Sequence, residues 1–139
     1  MLSPELAVRL RAAGVRWHPT PGDAFVVPGL HLDDRVFVLS DMVVELKDVP
    51  GGTRVLAFNG TTEWALDSLE VDRAVWVPRE DQLRTLLGSA FRALDREPGP
   101  PVSFVVTLAV GGRRSRHVDV TVEAAYARAL LALLAHVVG

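Results

Sequence analysis

Arg79–Asp95, REDQLRTLLGSAFRALD, is the stretch on which the fold turns. Leu83, Leu86, Leu87, Ala90, Phe91 and Leu94 recur at i, i+3, i+4, i+7, i+8 and i+11, the spacing of one continuous apolar face on a helix. Pro78 precedes it, and Glu80 and Asp81 sit where the positive end of a helix dipole would be. The spacing predicts a long helix from Arg79 to about Asp95. Gly88 inside that helix would cost about 1 kcal/mol relative to Ala, and predicts a close approach to a sheet.

On the N-terminal side lies the densest polar cluster, FNGTTEWALDS, Phe58 to Ser68. Asn59-Gly60 is a turn signal, because Asn tolerates the left-handed region and Gly enters it freely. Thr61 or Thr62 then caps a short helix with Glu63 in its first turn. Glu63, Asp67 and Glu70 follow at i, i+4 and i+7, so their carboxylates share one stripe. Ala65, Leu66 and Leu69 face the core, and Trp64 lies between the two faces. Val71 to Val77 contains the apolar run Ala-Val-Trp-Val, which reads as a strand closed by Pro78.

Beyond Asp95, Glu97-Pro98-Gly99-Pro100-Pro101 excludes regular structure and is the one linker-like segment. Val102, Phe104, Val106, Leu108 and Val110 alternate along a strand. Gly111-Gly112 makes a two-residue hairpin loop, and Arg113 to Val120 returns. Thr121 caps a last helix from Val122 to about Val137. There Val122, Tyr126, Ala129, Leu130, Leu133 and Val137 form one face, while Leu131 and Leu134 make the far side apolar as well. A helix apolar on most sides is central or covered by a partner, which predicts a homodimer through this element.

Toward the start of the chain, Ser3-Pro4-Glu5 opens a helix with Ser as N-cap and Pro at its first position. Leu6, Leu10 and Ala13 make its stripe, and Gly14 stops it. Strands are expected at Ala24–Val27, Arg35–Leu39, Met42–Lys47 and Arg54–Phe58, joined by short turns such as Asp48–Thr53. Strands in quick succession favour an antiparallel meander. The expected architecture is a single α+β domain over residues 1–139. It has one mainly antiparallel sheet of roughly five to seven strands, with two long helices and the N-terminal helix packed against it. A C-terminal ββα portion would span 102–139.

The 139 residues suffice for a real core, and 49% hydrophobic with 23% charged residues excludes wholesale disorder. A net charge of −2 gives no electrostatic pull toward nucleic acid or membrane. The absence of cysteine excludes disulfides, thiol catalysis and Cys-based zinc sites. MLSPELAVRLRAAG lacks the apolar core of a secretory signal. The most apolar run, Ala129 to Val138, is well short of the roughly 20 residues that span a bilayer. The chain therefore reads as soluble and cytoplasmic.

The four histidines, His18, His31, His117 and His136, are dispersed and make no metal-ligand spacing. His31 with Asp33 and Asp34 is only a polar loop. No serine lies in a nucleophile elbow, and neither GxGxxG nor GxxxxGK[ST] occurs, so no cofactor or metal is expected. The leading function is a non-enzymatic binding or regulatory module for an unidentified protein or small molecule. Its groove would lie between Asn59–Asp67 and the Trp76–Glu80 turn. Its candidate binding residues are Asn59, Thr61, Thr62, Glu63, Trp64, Asp67, Trp76, Arg79 and Glu80. An alternative is a small enzyme or cation-binding protein that uses Glu63 and Asp67 as acid/base or ligands, with Arg79 holding an anion. The stripe is equally what an amphipathic surface helix carries to stay solvated. Arg113, Arg114, Arg116 and His117 make a basic hairpin that could contact phosphates, although no aromatic residue accompanies it.

Five segments carry a resemblance: VRW (Val15–Trp17), PGD (Pro21–Asp23), VFVLSDM (Val36–Met42), FNGTTEWALDS (Phe58–Ser68) and WVPREDQLRTLLG (Trp76–Gly88). Together they resemble a group of small uncharacterised actinobacterial proteins, some labelled pilus assembly proteins. The resemblance covers most of the chain and implies no activity, so the residues in its motifs are candidates only.

Overall fold

Capping chemistry places the first helix as expected. In the computed structural model, which describes residues 1–29, 35–39, 45–48, 54–57 and 68–138, α1 runs Pro4–Ala12. The Ser3 hydroxyl accepts from the Leu6 N–H at 3.3 Å, satisfying one donor that a helix start leaves orphaned. Gly14 follows with φ +105°, a backbone state that side chains rarely adopt. Leu6, Ala7 and Leu10 are buried.

The stretch Arg79–Asp95 divides. Helix α2 covers only Glu80–Leu87, a single 3₁₀ turn follows at Gly88–Ala90, and Phe91–Glu97 is a strand, β7. This corrects the expected helix through Asp95. Gly88 adopts φ +57°, ψ −134°, which an α-helix does not contain. It stops the helix instead of packing inside it. Leu83 and Leu87 are buried as the helical spacing required. Phe91 and Leu94 continue that spacing only by coincidence: they are paired along β7 with Leu108 and Val106.

Strands are labelled in chain order: β1 Ala24–Val26, β2 Phe37–Val38, β3 Glu45–Asp48, β4 Arg54–Ala57, β5 Ser68–Glu70, β6 Val75–Val77, then β7, β8 Ser103–Val110 and β9 Arg113–Asp119. The last helix, α3, spans Val122–Val138. Among the described residues the architecture is α+β with antiparallel pairing throughout. Its strands form three three-stranded sheets, β2-β1-β6, β3-β4-β5 and β7-β8-β9, in place of the single larger sheet that was expected. Turn signals show that strands follow one another, but not which hairpin joins which sheet. Leu69 and Glu70, expected on a short helix, lie in β5, so the helical stripe does not reach Glu70. Val71–Arg73, expected at the start of a strand, is a 3₁₀ turn.

The chain forms two compact units, Arg16–Val77 and Met1–Val15 with Pro78–Gly139. In the first, the pairing of β1 sets Phe25 opposite both Phe37 and Trp76. Phe25 lies 5.4 Å from Trp17 and 5.5 Å from Phe37 between ring centroids, the offset range in which aromatic pairs add to area burial. Val27, Leu39, Val71 and Ala74 complete this core. The carboxylate of Asp23, 2% exposed, accepts from Trp17 Nε1 at 2.9 Å and from the Thr20 N–H at 3.0 Å. Burying it is tolerable because it is hydrogen-bonded.

In the second unit α3 packs on β8 and β9, and both α1 and α2 pack on α3. The N-terminal helix therefore lies against another helix, where a sheet face was expected. The Thr121 hydroxyl caps α3 by accepting from the Ala124 N–H at 3.2 Å. Phe91 stacks on Tyr126 at 5.8 Å and Arg128 bonds Asp119, so α3 covers the sheet face that carries Phe91, Leu108, Val106 and Asp119. On the opposite face, Glu97 lies opposite Ser103 and Arg116 opposite Thr107. Their ion pair crosses β8 diagonally above Val105, which is 1% exposed.

Candidate functional site

The recess in this second unit is built by the start of α2 and the start of α3. Arg79 is the N-cap of α2 in an extended conformation, and its N–H donates to Gln82 Oε1 at 2.9 Å. That geometry turns Glu80, Asp81 and Arg84 onto the side of α2 next to α3. From α3 come Glu123 and, one turn on, Tyr126. These six residues line a shallow cavity of ≈ 480 Å³, within the size range of small-molecule sites.

Its electrostatics are divided. Arg79 Nε bonds Asp81 Oδ1 at 3.1 Å, and that hydrogen bond holds the Asp81 carboxyl below its ordinary range. The Arg84 guanidinium sits 4.4 Å from the centroid of the Phe91 ring, a cation–π arrangement. Glu80 and Arg84 are one helical turn apart, the spacing at which opposite charges can meet. No ion pair joins them among the described residues. Glu123 Oε1 lies 3.9 Å from the Met1 ammonium. At the floor is Tyr126, 1% exposed. Burial, with the Glu80 carboxylate beside it, pushes its phenol above the usual value, while Arg84 pulls the other way. No described residue gives its hydroxyl a hydrogen bond.

No family model, no curated protein and no solved structure matches this chain. The arrangement must therefore be read from its own chemistry.

Of the residues expected from the sequence, Arg79 and Glu80 meet in the recess. Trp76 belongs to β6 in the Arg16–Val77 unit, packed against the aromatic core, and its indole Nε1 is buried with no hydrogen-bond partner among the described residues. Asn59, Thr61, Thr62, Glu63, Trp64 and Asp67 lie outside the described residues, as do His31, Asp33 and Asp34. The basic hairpin is formed: Arg113, Arg114 and Arg116 are exposed on β9. Arg116 is tied to Glu97, and burial holds the His117 imidazole below its ordinary pKa. No cluster of metal-ligating side chains occurs among the described residues. No described helix is long and apolar enough to cross a membrane.

Sequence reasoning missed Arg84, Glu123 and Tyr126 as site residues. Tyr126 carried only its core spacing, which it also obeys. The one available signal was Glu80 with Arg84 at i and i+4, an ordinary surface pair until α3 is placed beside it.

Proposed function

We propose that the protein is a non-enzymatic binding module whose recess between α2 and α3 receives a small polar ligand. The observation that carries this reading is Tyr126. Tyr126 is 1% exposed as a residue and borders the charged cavity, and no described residue gives its hydroxyl a hydrogen bond, so that hydroxyl is left to solvent or a ligand. Enough carboxylate and guanidinium groups surround it to orient a ligand by charge-assisted hydrogen bonds. The described residues offer no activated nucleophile or metal ligand set at the recess, so binding is the simpler reading.

The test is a titration of ¹⁵N-labelled protein with a library of small polar fragments, charged and neutral. Fragments are expected to shift the amides of Glu80–Arg84 and Glu123–Ala127 together, with Tyr126→Phe weakening the response. A library that moves neither segment overturns the reading.

The same unit supports self-association through α3. Its first half is buried from Ala124 to Ala127 and at Ala129 and Leu130, whereas Leu131, Leu133 and Leu134 are half-buried and Val137 is 74% exposed. Apolar surface of this kind at the end of a helix fits a second copy of the chain. Sedimentation should give a dimer at micromolar concentration, converted to monomer by Leu134→Glu. A monomeric parent protein removes the idea.

A further inference from the structure

Glu80 and Arg84 are a matched pair that is not paired. Glu-to-Arg at i, i+4 is the favourable orientation for a helical ion pair, but Arg84 rests on the Phe91 ring. Both charges border the cavity, and both are felt by the same phenol, one raising and one lowering its pKa. Glu123 adds a second carboxylate on the α3 side, 24% exposed. Arg79 and Asp81 already bond each other at 3.1 Å and contribute little net charge. Glu123 is itself held 3.9 Å from the Met1 ammonium, so the charges left without an ion pair among the described residues are one carboxylate, Glu80, and one guanidinium, Arg84, beside the Tyr126 phenol.

From this we infer that the ligand of the recess is a free α-amino acid, bound as its zwitterion. The inference rests on the binding reading given above. A purely anionic ligand would meet the unpaired Glu80, and a purely cationic one would meet Arg84. A molecule carrying both charges on groups joined through one carbon satisfies Glu80 and Arg84 at once. Its ammonium donates to Glu80, and its carboxylate accepts from Arg84 and from the Tyr126 hydroxyl. The Cβ atoms of i and i+4 residues are about 5–6 Å apart, and long side chains can close that gap onto neighbouring ammonium and carboxylate groups. A cavity of ≈ 480 Å³ leaves room for the ligand's own side chain.

The experiment titrates the protein with each of the common L-α-amino acids, then with the amide and the N-acetyl derivative of the tightest binder. Amide shifts at Glu80–Arg84 and Glu123–Ala127 locate the contact, and calorimetry gives affinity. Removing either ligand charge should weaken binding by about tenfold or more, the range for losing a charged hydrogen bond. Glu80→Gln should abolish most of the difference between the amino acid and its N-acetyl form. Arg84→Gln should do the same for the amino acid and its amide. An amide or N-acetyl derivative that binds as tightly as the parent amino acid overturns the zwitterion while leaving the recess a ligand site. If no amino acid shifts these segments although other polar fragments do, the inference falls alone. Silence from both sets removes it together with the binding reading.

Discussion

Replacing Asp23 by Ala tests whether one buried carboxylate organises the Arg16–Val77 unit. Asp23 Oδ2 accepts from Trp17 Nε1 at 2.9 Å and from the Thr20 N–H at 3.0 Å. Its backbone joins the same turn: the Leu39 N–H donates to the Asp23 carbonyl at 2.9 Å, and the Gly22 N–H donates to the Leu39 carbonyl at 2.8 Å. Thr20 is exposed, so its freed N–H can turn to water at little cost. Trp17 is 6% exposed, and its buried indole N–H would lose the carboxylate that accepts it. A hydrogen bond to a charged group contributes about 1.5–3 kcal/mol, and an orphaned buried donor costs about 1–3 kcal/mol. These overlap, so the expected loss is about 3 kcal/mol. Asp23→Asn keeps an acceptor oxygen in place and should cost about 1 kcal/mol, the difference between a charged and a neutral acceptor. Urea unfolding followed by tryptophan fluorescence is the assay, because all three tryptophans lie between residues 16 and 77. An Asp23→Ala protein within 0.5 kcal/mol of the parent, or no gap between the Ala and Asn variants, would refute this account of the turn.

Gly88→Ala should lower stability by about 1–3 kcal/mol, since φ +57° with ψ −134° is open essentially to Gly alone. Nothing lies within 4 Å of the added Cβ, so a loss seen by thermal melting is a backbone effect; no loss would mean that the helix does not stop there. For Asp119, burial raises the carboxyl pKa, but the bond from Arg128 and the Val120 N–H outweigh it and leave it below 3.8. A depressed folded pKa stabilises the protein above the unfolded value, and that stability is lost as pH falls through the folded one. The stability gap between parent and Asp119→Asn should therefore shrink on acidification below about pH 4, measured by urea titrations across pH; a constant gap contradicts the assignment. Arg116→Ala removes the ion pair with Glu97, whose side chains are 60% and 46% exposed, and should cost less than about 1 kcal/mol in a melt. A larger loss would show that the pair shields Val105 more than its exposure suggests.

Local chemistry made several elements legible in the sequence. Ser3-Pro4 start α1, Thr121 caps α3, and Gly111-Gly112 turns β8 into β9, because each choice is made within a few bonds of the residue concerned. Where two local signals disagreed, the sequence could not arbitrate. The leucine spacing of Arg79–Asp95 argued for helix and Gly88 argued for a stop. The outcome depended on β8, whose backbone offered Phe91–Glu97 a ladder that a lone helix could not match. The number of sheets was hidden for a similar reason, since strand partners are chosen by packing across long sequence separations.

Two of the nine expected binding residues lie at the recess. Arg79 and Glu80 were recognisable because they open a helix beside a polar turn, and they do border the recess. Tyr126 looked like a core residue and is one; only the approach of α2 to α3 places it beside Glu80 and Arg84. The sequence by itself determined helix starts, hairpin turns and the alternation of buried side chains, all consequences of short-range geometry. Tertiary structure decided which strands share a sheet and which charges meet, because those depend on contacts between segments some forty residues apart, such as Glu80 and Glu123.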